Sequence, residues 1–252
     1  MLRPFFIGKT AAMESCILNP ERKKGEPRLP GTGILAVNPA DAHGFPALAN
    51  SLGMTRCFLF NSSLYSSDAL FFAGPAVGAP MAAMTLEKLI ALGAEKIILY
   101  GWAGSLQNDV HAMDVLIPDW GVSEEGTSSH YINDDLGTIV PDKGLSATVS
   151  GFLADRKIDF HQGPVWTTDA PYRETEAKVR AYNRKGVCGV DMEFTALCAV
   201  AAHRQAKLAA VLLISDELLH APWTPHYTLK DFKKRSRDLL TLLCEGIESG
   251  IL

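Results

Sequence analysis

Val190–Glu217 reads VDMEFTALCAVAAHRQAKLAAVLLISDE. From Phe194 to Gln205 it is Ala-rich and amphipathic, the pattern of a helix that lays one face on a core. Leu208–Ser215 is then almost wholly apolar, the pattern of a buried strand, and Asp216 stands at the carboxyl end of that strand. A helix leading into a buried strand is the building unit of a layered α/β domain. It also places one acid, Glu193, at the mouth of the helix and another, Asp216, at the exit of the strand.

The same alternation extends outward. Gly33–Val37, Arg56–Phe60, Ala69–Ala73, Lys96–Tyr100 and Val115–Pro118 are short apolar runs rich in β-branched or aromatic residues and read as strands. Ala79–Leu92 sets Met81, Met84, Leu86, Leu89 and Ile90 along a helical stripe, and Gly93 follows as a stop. A last helix is expected from Thr228, with Asp231 completing a capping-box-like pair and Phe232, Leu239, Leu240, Leu243 and Ile247 on one face. Glu124–Gly163 is the most loop-rich stretch. Its front, EEGTSSHYINDDLG, and the nearby Trp120, His130 and Tyr131 favour a functional loop over a disordered one. There is no internal repeat and no low-complexity linker. The 252 residues are expected to form one domain, with 1–32 as an N-terminal extension.

Composition narrows the classes. Hydrophobic residues make up 47% of the chain, yet no apolar run nears the roughly 20 residues that span a bilayer. The opening MLRPFFIGKTAAMESC lacks a long hydrophobic region before a cleavage site and is read as mature protein. A net charge of −4 argues against a nucleic-acid partner, and Arg22-Lys23-Lys24 is read as a solvated loop. Five scattered cysteines with no C-x-x-C pair fit reduced thiols in a cytoplasmic protein. No H-E-x-x-H occurs, and His220 and His226 flank a Pro-broken APWTP, so no metal is expected. G-x-S-x-G is absent. Gly74, Gly78, Gly101 and Gly104 let backbone approach a ligand closely, but G-x-G-x-x-G and a P-loop lysine are both missing, so no nucleotide cofactor is expected.

Each candidate residue has two readings. Glu193 is either a helix-mouth acid that complements the dipole or a carboxylate that accepts hydrogen bonds from a vicinal diol. Asp216 is either a turn cap or a proton donor whose apolar surroundings raise its pKa. Tyr172 and Arg173, in TTDAPYRET, are either plain loop residues or, for the tyrosine, an aromatic that stacks on a base.

In order along the chain, GPAVGAPMAAMTLEKLIALGAEKI, GWAGSL, EEGTSSHY, VDMEFTAL and ISDE resemble the nucleoside phosphorylase family of hexameric purine phosphorylases, uridine phosphorylases and methylthioadenosine nucleosidases. The resemblance runs from about Gly33 to Ser249. It implies an α/β fold, a three-layer α/β/α sandwich with a central mixed, partly barrel-like sheet, and a homo-oligomer (dimer, trimer or hexamer). It implies that Glu193 binds the ribose hydroxyls, that Met192 packs on the sugar, and that Asp216 acts at a purine ring nitrogen. Tyr172 falls near the base-stacking aromatic. The substrate implied is a small-molecule, purine-like nucleoside handled in purine salvage, with no membrane partner.

The phosphorylases of that family carry two phosphate-holding arginines, and here the pattern departs. Asp41, in VNPAD, stands at the place of one, and Leu99 at the place of the other. Trp102 replaces a small hydroxyl residue beside Gly101. A phosphate dianion would meet a carboxylate there instead of a guanidinium. The nucleosidases place a water-activating acid in the first turn, a part open to Asp41, while Arg173 or a partner subunit could restore the charge. Phosphorolysis to free base and sugar 1-phosphate, with inorganic phosphate as co-substrate, stands first. Hydrolysis by water stands second, and a non-catalytic nucleoside-binding protein third.

Overall fold

The structure, a computed structural model, describes residues 16–59, 62–132, 139–219 and 223–252. In chain order they form β1 (Thr32–Ala36), α1 (Phe45–Ser51), β2 (Thr55–Leu59), β3 (Ser62–Ser66), β4 (Phe71–Gly74), α2 (Ala79–Leu92), β5 (Lys96–Ser105) and β6 (Val115–Glu124). There follow α3 (Lys143–Asp155), β7 (Phe160–Thr168), α4 (Glu176–Arg184), β8 (Gly189–Asp191), α5 (Phe194–His203), β9 (Lys207–Glu217) and α6 (Lys230–Glu248). His220, Phe60, the whole NDDLG stretch and residues 1–15 of the expected N-terminal extension lie outside the described residues.

The strands make one mixed sheet in the order β2-β3-β4-β1-β5-β8-β7-β6-β9, and β9 pairs back onto β5. That last pairing closes β5, β8, β7, β6 and β9 into a five-stranded barrel, with β2, β3, β4 and β1 as an open extension. The expected mixed, partly barrel-like sheet is what forms. Its cause lies in β5, which is ten residues long. Its first part pairs with β1, while its last two residues, Gly104 and Ser105, pair with β8.

Alternation along the strands supplies two cores. In β9, Leu208, Ala210, Leu212 and Ile214 face the layer that holds α2 and α5. Ala209, Val211 and Leu213 face the layer that holds α1, α3 and α6. Strand residues buried on both faces read as a continuous apolar run, which is why the period-2 signal is missing from Leu208–Ser215. Fully burying one such Leu stabilises the fold by about 1.5–3 kcal/mol.

Two local expectations are corrected. Helix α6 starts at Lys230 with Leu229 at its N-cap and no side-chain cap. The Thr228 hydroxyl instead donates to the Pro225 carbonyl at 3.4 Å, closing the preceding turn rather than the helix. The Glu124–Gly163 stretch is less loop-like than expected, because it contains α3, capped by the Asp142 side chain accepting from the Leu145 N–H at 2.7 Å. Gly144 and Gly151 diluted its helical pattern. No helix among the described residues is long and apolar enough to cross a membrane.

Candidate active site

Strands β1, β4, β5 and β9 are mutually parallel where they pair, so their carboxyl ends open on one sheet edge. Asp41 follows β1, Gly78 follows β4, Gly101–Ser105 end β5 and Asp216 ends β9. Glu193 reaches the same edge, because its Oε1 accepts the Gly78 N–H. Gly78 has φ 83°, ψ 148°, a conformation that glycine adopts without strain and that turns its N–H toward the carboxylate.

Glu193 and Asp191 are each 5% exposed. Asp191, singled out by neither reading of the sequence, does the capping work that helix α5 needs. Its Oδ2 accepts the N–H groups of Glu193 (2.9 Å) and Phe194 (2.6 Å), and its Oδ1 accepts the Thr167 hydroxyl at 2.6 Å. The Glu193 side chain makes no cap bond of its own. Burial, and after it the Asp191 charge, raises the Glu193 carboxyl above the ordinary carboxylate range. Burial also raises Asp191, against the Thr167 hydroxyl and the two N–H groups that favour its charge. Behind this pair lies Glu125, which accepts from Ser123 (2.7 Å), Thr195 (3.0 Å) and Ser128 hydroxyls. Its burial would raise its pKa, but those hydroxyls and the Thr127 and Ser128 N–H groups prevail and lower it.

A cleft of about 400 Å³ runs between Pro80, Ala83 and Met84 of α2 and Thr127, His130 and Asp169, whose charge also acts on Glu193. The EEGTSSHY loop lines this cleft through Gly126, Thr127, His130 and Tyr131. Met192 is half-buried next to Glu193.

At the other end, Asp216 sits opposite Gly104 across the β5–β9 ladder, just past a bulge at Ala103/Gly104. A Cβ on Gly104 would lie 2.5 Å from Leu218 Cδ1 and 3.4 Å from Asp216 Oδ2, so a side chain there would displace this corner. Asp216 Oδ1 accepts the Ser215 hydroxyl at 2.6 Å and Oδ2 accepts the Trp223 indole N–H at 2.7 Å. Glu174 lies near enough that the Asp216 charge, after burial, raises its pKa to about 7. Tyr172 and Arg173, on the short turn just before it, stand exposed, Tyr172 wholly so, and among the described residues no ring stacks on the tyrosine. Trp223 is the aromatic that reaches Asp216. Gly101 is spare of a side chain for packing: a Cβ there would lie 3.0 Å from Leu212 and 3.1 Å from Val37.

Asp41 is held in a third cluster. Its Oδ2 accepts the Ser236 hydroxyl (2.7 Å) and the Asn38 amide (3.1 Å). The same serine oxygen contacts the Tyr100 hydroxyl at 2.7 Å and accepts the Trp102 indole N–H at 3.0 Å. Trp102 lies edge-on to Phe232 and stacks with Tyr227, so it faces α6. Burial raises the Asp41 carboxyl, and Ser236, Asn38 and the Arg237 charge oppose the rise. Leu99 is fully buried on the opposite, α2/α5 face. Among the described residues no group of three His, Cys, Asp or Glu side chains could hold a metal ion.

The family model of the phosphorylase superfamily matches residues 32–246. The chain belongs to the nucleoside phosphorylase family. It is 27% identical over 168 residues to a guanosine phosphorylase of Halorubrum lacusprofundi, covering 67% of this chain and 69% of that relative. A DeoD-type purine nucleoside phosphorylase of Buchnera aphidicola is 26% identical over 76% of this chain and 80% of its own. The crystal structure of the Toxoplasma gondii purine nucleoside phosphorylase in complex with immucillin-H shares the fold, with a TM-score of 0.76 at 17% identity, over 89% of this chain and 92% of that one. As a member of this enzyme family, the chain is of the nucleoside phosphorylase and nucleosidase type. Sequence reasoning missed Asp191, Glu174, Trp223 and Ser236; Ser236 and Glu174 act on distant segments, and Trp223 meets Asp216 across a Pro-broken turn. Of these only Asp191 left a local trace, an acid three residues before the helix.

Proposed function

We propose that this chain cleaves the N-glycosidic bond of a purine nucleoside and passes the glycosyl group to inorganic phosphate, releasing free base and sugar 1-phosphate. The observation that carries this reading is the placement of a buried Glu193 and a more accessible Asp216 on one sheet edge, at the two ends of one helix–strand unit. As the bond from C1′ to the base breaks, its electron pair moves to the base and positive charge builds on the ribose. The Glu193 carboxylate offers two acceptor oxygens to the sugar hydroxyls, and a proton delivered through Asp216 neutralises the leaving base. Both groups then hold the transition state more firmly than the ground state. The named relatives, a guanosine and a purine nucleoside phosphorylase, support a purine substrate and phosphate as acceptor. Arg237 of α6 supports a cation at the first turn, since its side chain lies 3.4 Å from a Gly44 Cβ position and its charge acts on Asp41. We place the working form in the cytoplasm as a homo-oligomer, which sedimentation would measure directly.

A second reading, hydrolysis by water, is favoured by Asp41, a carboxylate at the place where the family's phosphorylases carry one arginine, and by Leu99, an uncharged and fully buried residue at the place of the other. The two readings part in one assay. Purine nucleosides are incubated with and without phosphate, and free base and sugar 1-phosphate are measured. Phosphorolysis predicts base release that needs phosphate, and an Arg237→Ala variant with a raised KM for phosphate. Ribose release that ignores phosphate would move the assignment to water.

A further inference from the structure

The passage from the end of β8 into α5 carries two buried acids, Asp191 and Glu193. Asp191 joins three elements: the Thr167 hydroxyl of β7 on one oxygen, and the first N–H groups of α5 on the other. Thr167 is itself fixed, since its hydroxyl oxygen accepts the Thr195 N–H at 3.2 Å. A helix start leaves N–H groups in need of acceptors. Because Asp191 takes them, Glu193 is released from capping, and its side chain turns to the Gly78 N–H at the sheet edge.

We propose that Asp191 is a positioning residue for sugar binding: it clamps the peptide of Glu193 so that the Glu193 carboxyl faces the ribose diol, and its charge governs when that carboxyl can accept both hydroxyls. The inference rests on the reading of Glu193 as the sugar carboxylate. Two carboxyls in a water-poor pocket do not both ionise at low cost, so the pair keeps a proton to higher pH than either acid alone. Among the described residues, no cation figures in the leading interactions that act on the pair. Asp169 faces Glu193 from the end of β7, Glu125 acts on Asp191 from the end of β6, and Cys198 faces Asp191 from α5. The N–H of Gly78 reaches Glu193 from the turn before α2. A protonated Glu193 has spent one oxygen as a donor and no longer offers the diol two full acceptors.

The test compares inosine with its 2′,3′-dideoxy counterpart, by binding and by kcat/KM across pH. In the unaltered protein, inosine binding should weaken on the acid side with a limb above the ordinary carboxylate range, and the dideoxynucleoside should lack that limb. Asp191→Asn can keep its carbonyl on the two N–H groups and its amide on Thr167, so it removes charge with little change of shape. Its acid limb should move to lower pH by about one unit or more. Asp191→Ala, which removes the clamp, should raise KM for inosine about tenfold and change kcat less. A limb unmoved by Asp191→Asn overturns the proposal. A limb shared by the dideoxynucleoside overturns it too, and needs no variant to fold. If Glu193→Ala leaves the preference for inosine over the dideoxynucleoside intact, it is the reading of Glu193 that falls, whatever Asp191 does.

Discussion

The two ends of the candidate site are built differently. At the proposed sugar end, Glu193 and Asp191 are buried and fixed by backbone N–H groups and by the Thr167 hydroxyl of β7. At the base end, Asp216 is half-exposed, and its second oxygen is held by Trp223, a side chain that is 52% exposed. Backbone donors from packed elements cost little freedom to hold, whereas an exposed indole must be ordered each time. The difference suits the chemistry proposed. A ribose diol is the same in every nucleoside and rewards a rigid receptor, while bases differ and are better met by loops on a rigid scaffold.

That contrast can be broken by asking which end carries the larger chemical effect. Asp216→Asn should lower kcat on the order of 10³-fold, within the usual range for a lost general acid, with KM changed less. A nucleoside with an activated leaving group should recover much of the loss, since it needs no proton. Glu193→Ala should lower kcat/KM for ribonucleosides on the order of 10²-fold through lost charge-assisted hydrogen bonds, and should hardly affect a 2′,3′-dideoxynucleoside. Equal losses for both nucleosides would mean that Glu193 only supports the fold. Steady-state kinetics on the two variants, with their melting temperatures as controls, separate these outcomes.

Trp223 sharpens the contrast on a smaller scale. Trp223→Phe keeps an aromatic ring and removes the N–H that holds Asp216 Oδ2. A change of a few-fold in kcat/KM is expected, about the worth of one hydrogen bond to a charged group at an exposed site. The sugar preference should stay as it was. A loss as large as that of Asp216→Asn would show that the base end is as tightly organised as the sugar end, and the comparison would fail.

How much of this was legible in the sequence follows from where each interaction closes. Helix α2 was readable to its termini, since a continuous apolar stripe and a terminal glycine are local signals. The end of β9 at Asp216 was readable for the same reason. Helix α3 was not, because its glycines and polar residues hide the stripe that Leu145, Val149, Phe152 and Leu153 bury. In the site, Glu193 and Asp216 stood at element ends and were visible. Asp191 was masked by its neighbour: either acid could have capped α5, and only the approach of Thr167 and Gly78 decides between them. Ser236 could not be found locally, since it meets Asp41, Tyr100 and Trp102 across more than a hundred residues of chain.

The smallest expected effect concerns Glu174, a half-buried acid at the base end whose pKa burial and the Asp216 charge raise to about 7. A carboxyl raised on folding binds its proton more tightly in the folded chain than in the unfolded one. Stability therefore falls as pH climbs from the ordinary carboxylate range through about 7, and is level on either side of that window. Glu174→Gln, which cannot ionise, should abolish this part of the slope: its melting temperature should match the parent near pH 4 and exceed it by about a degree or two at pH 8. The partial exposure of the group keeps the effect small through solvent screening. The equivalent fall at the sugar end, from the deeply buried Glu193, should be larger because it extends over a wider window on the same side of the pH scale. Melting curves of Glu174→Gln and Glu193→Gln across pH would measure both. If Glu174→Gln removes as much of the slope as Glu193→Gln, the two ends are equally shielded from water, and the softer base end is not softer after all.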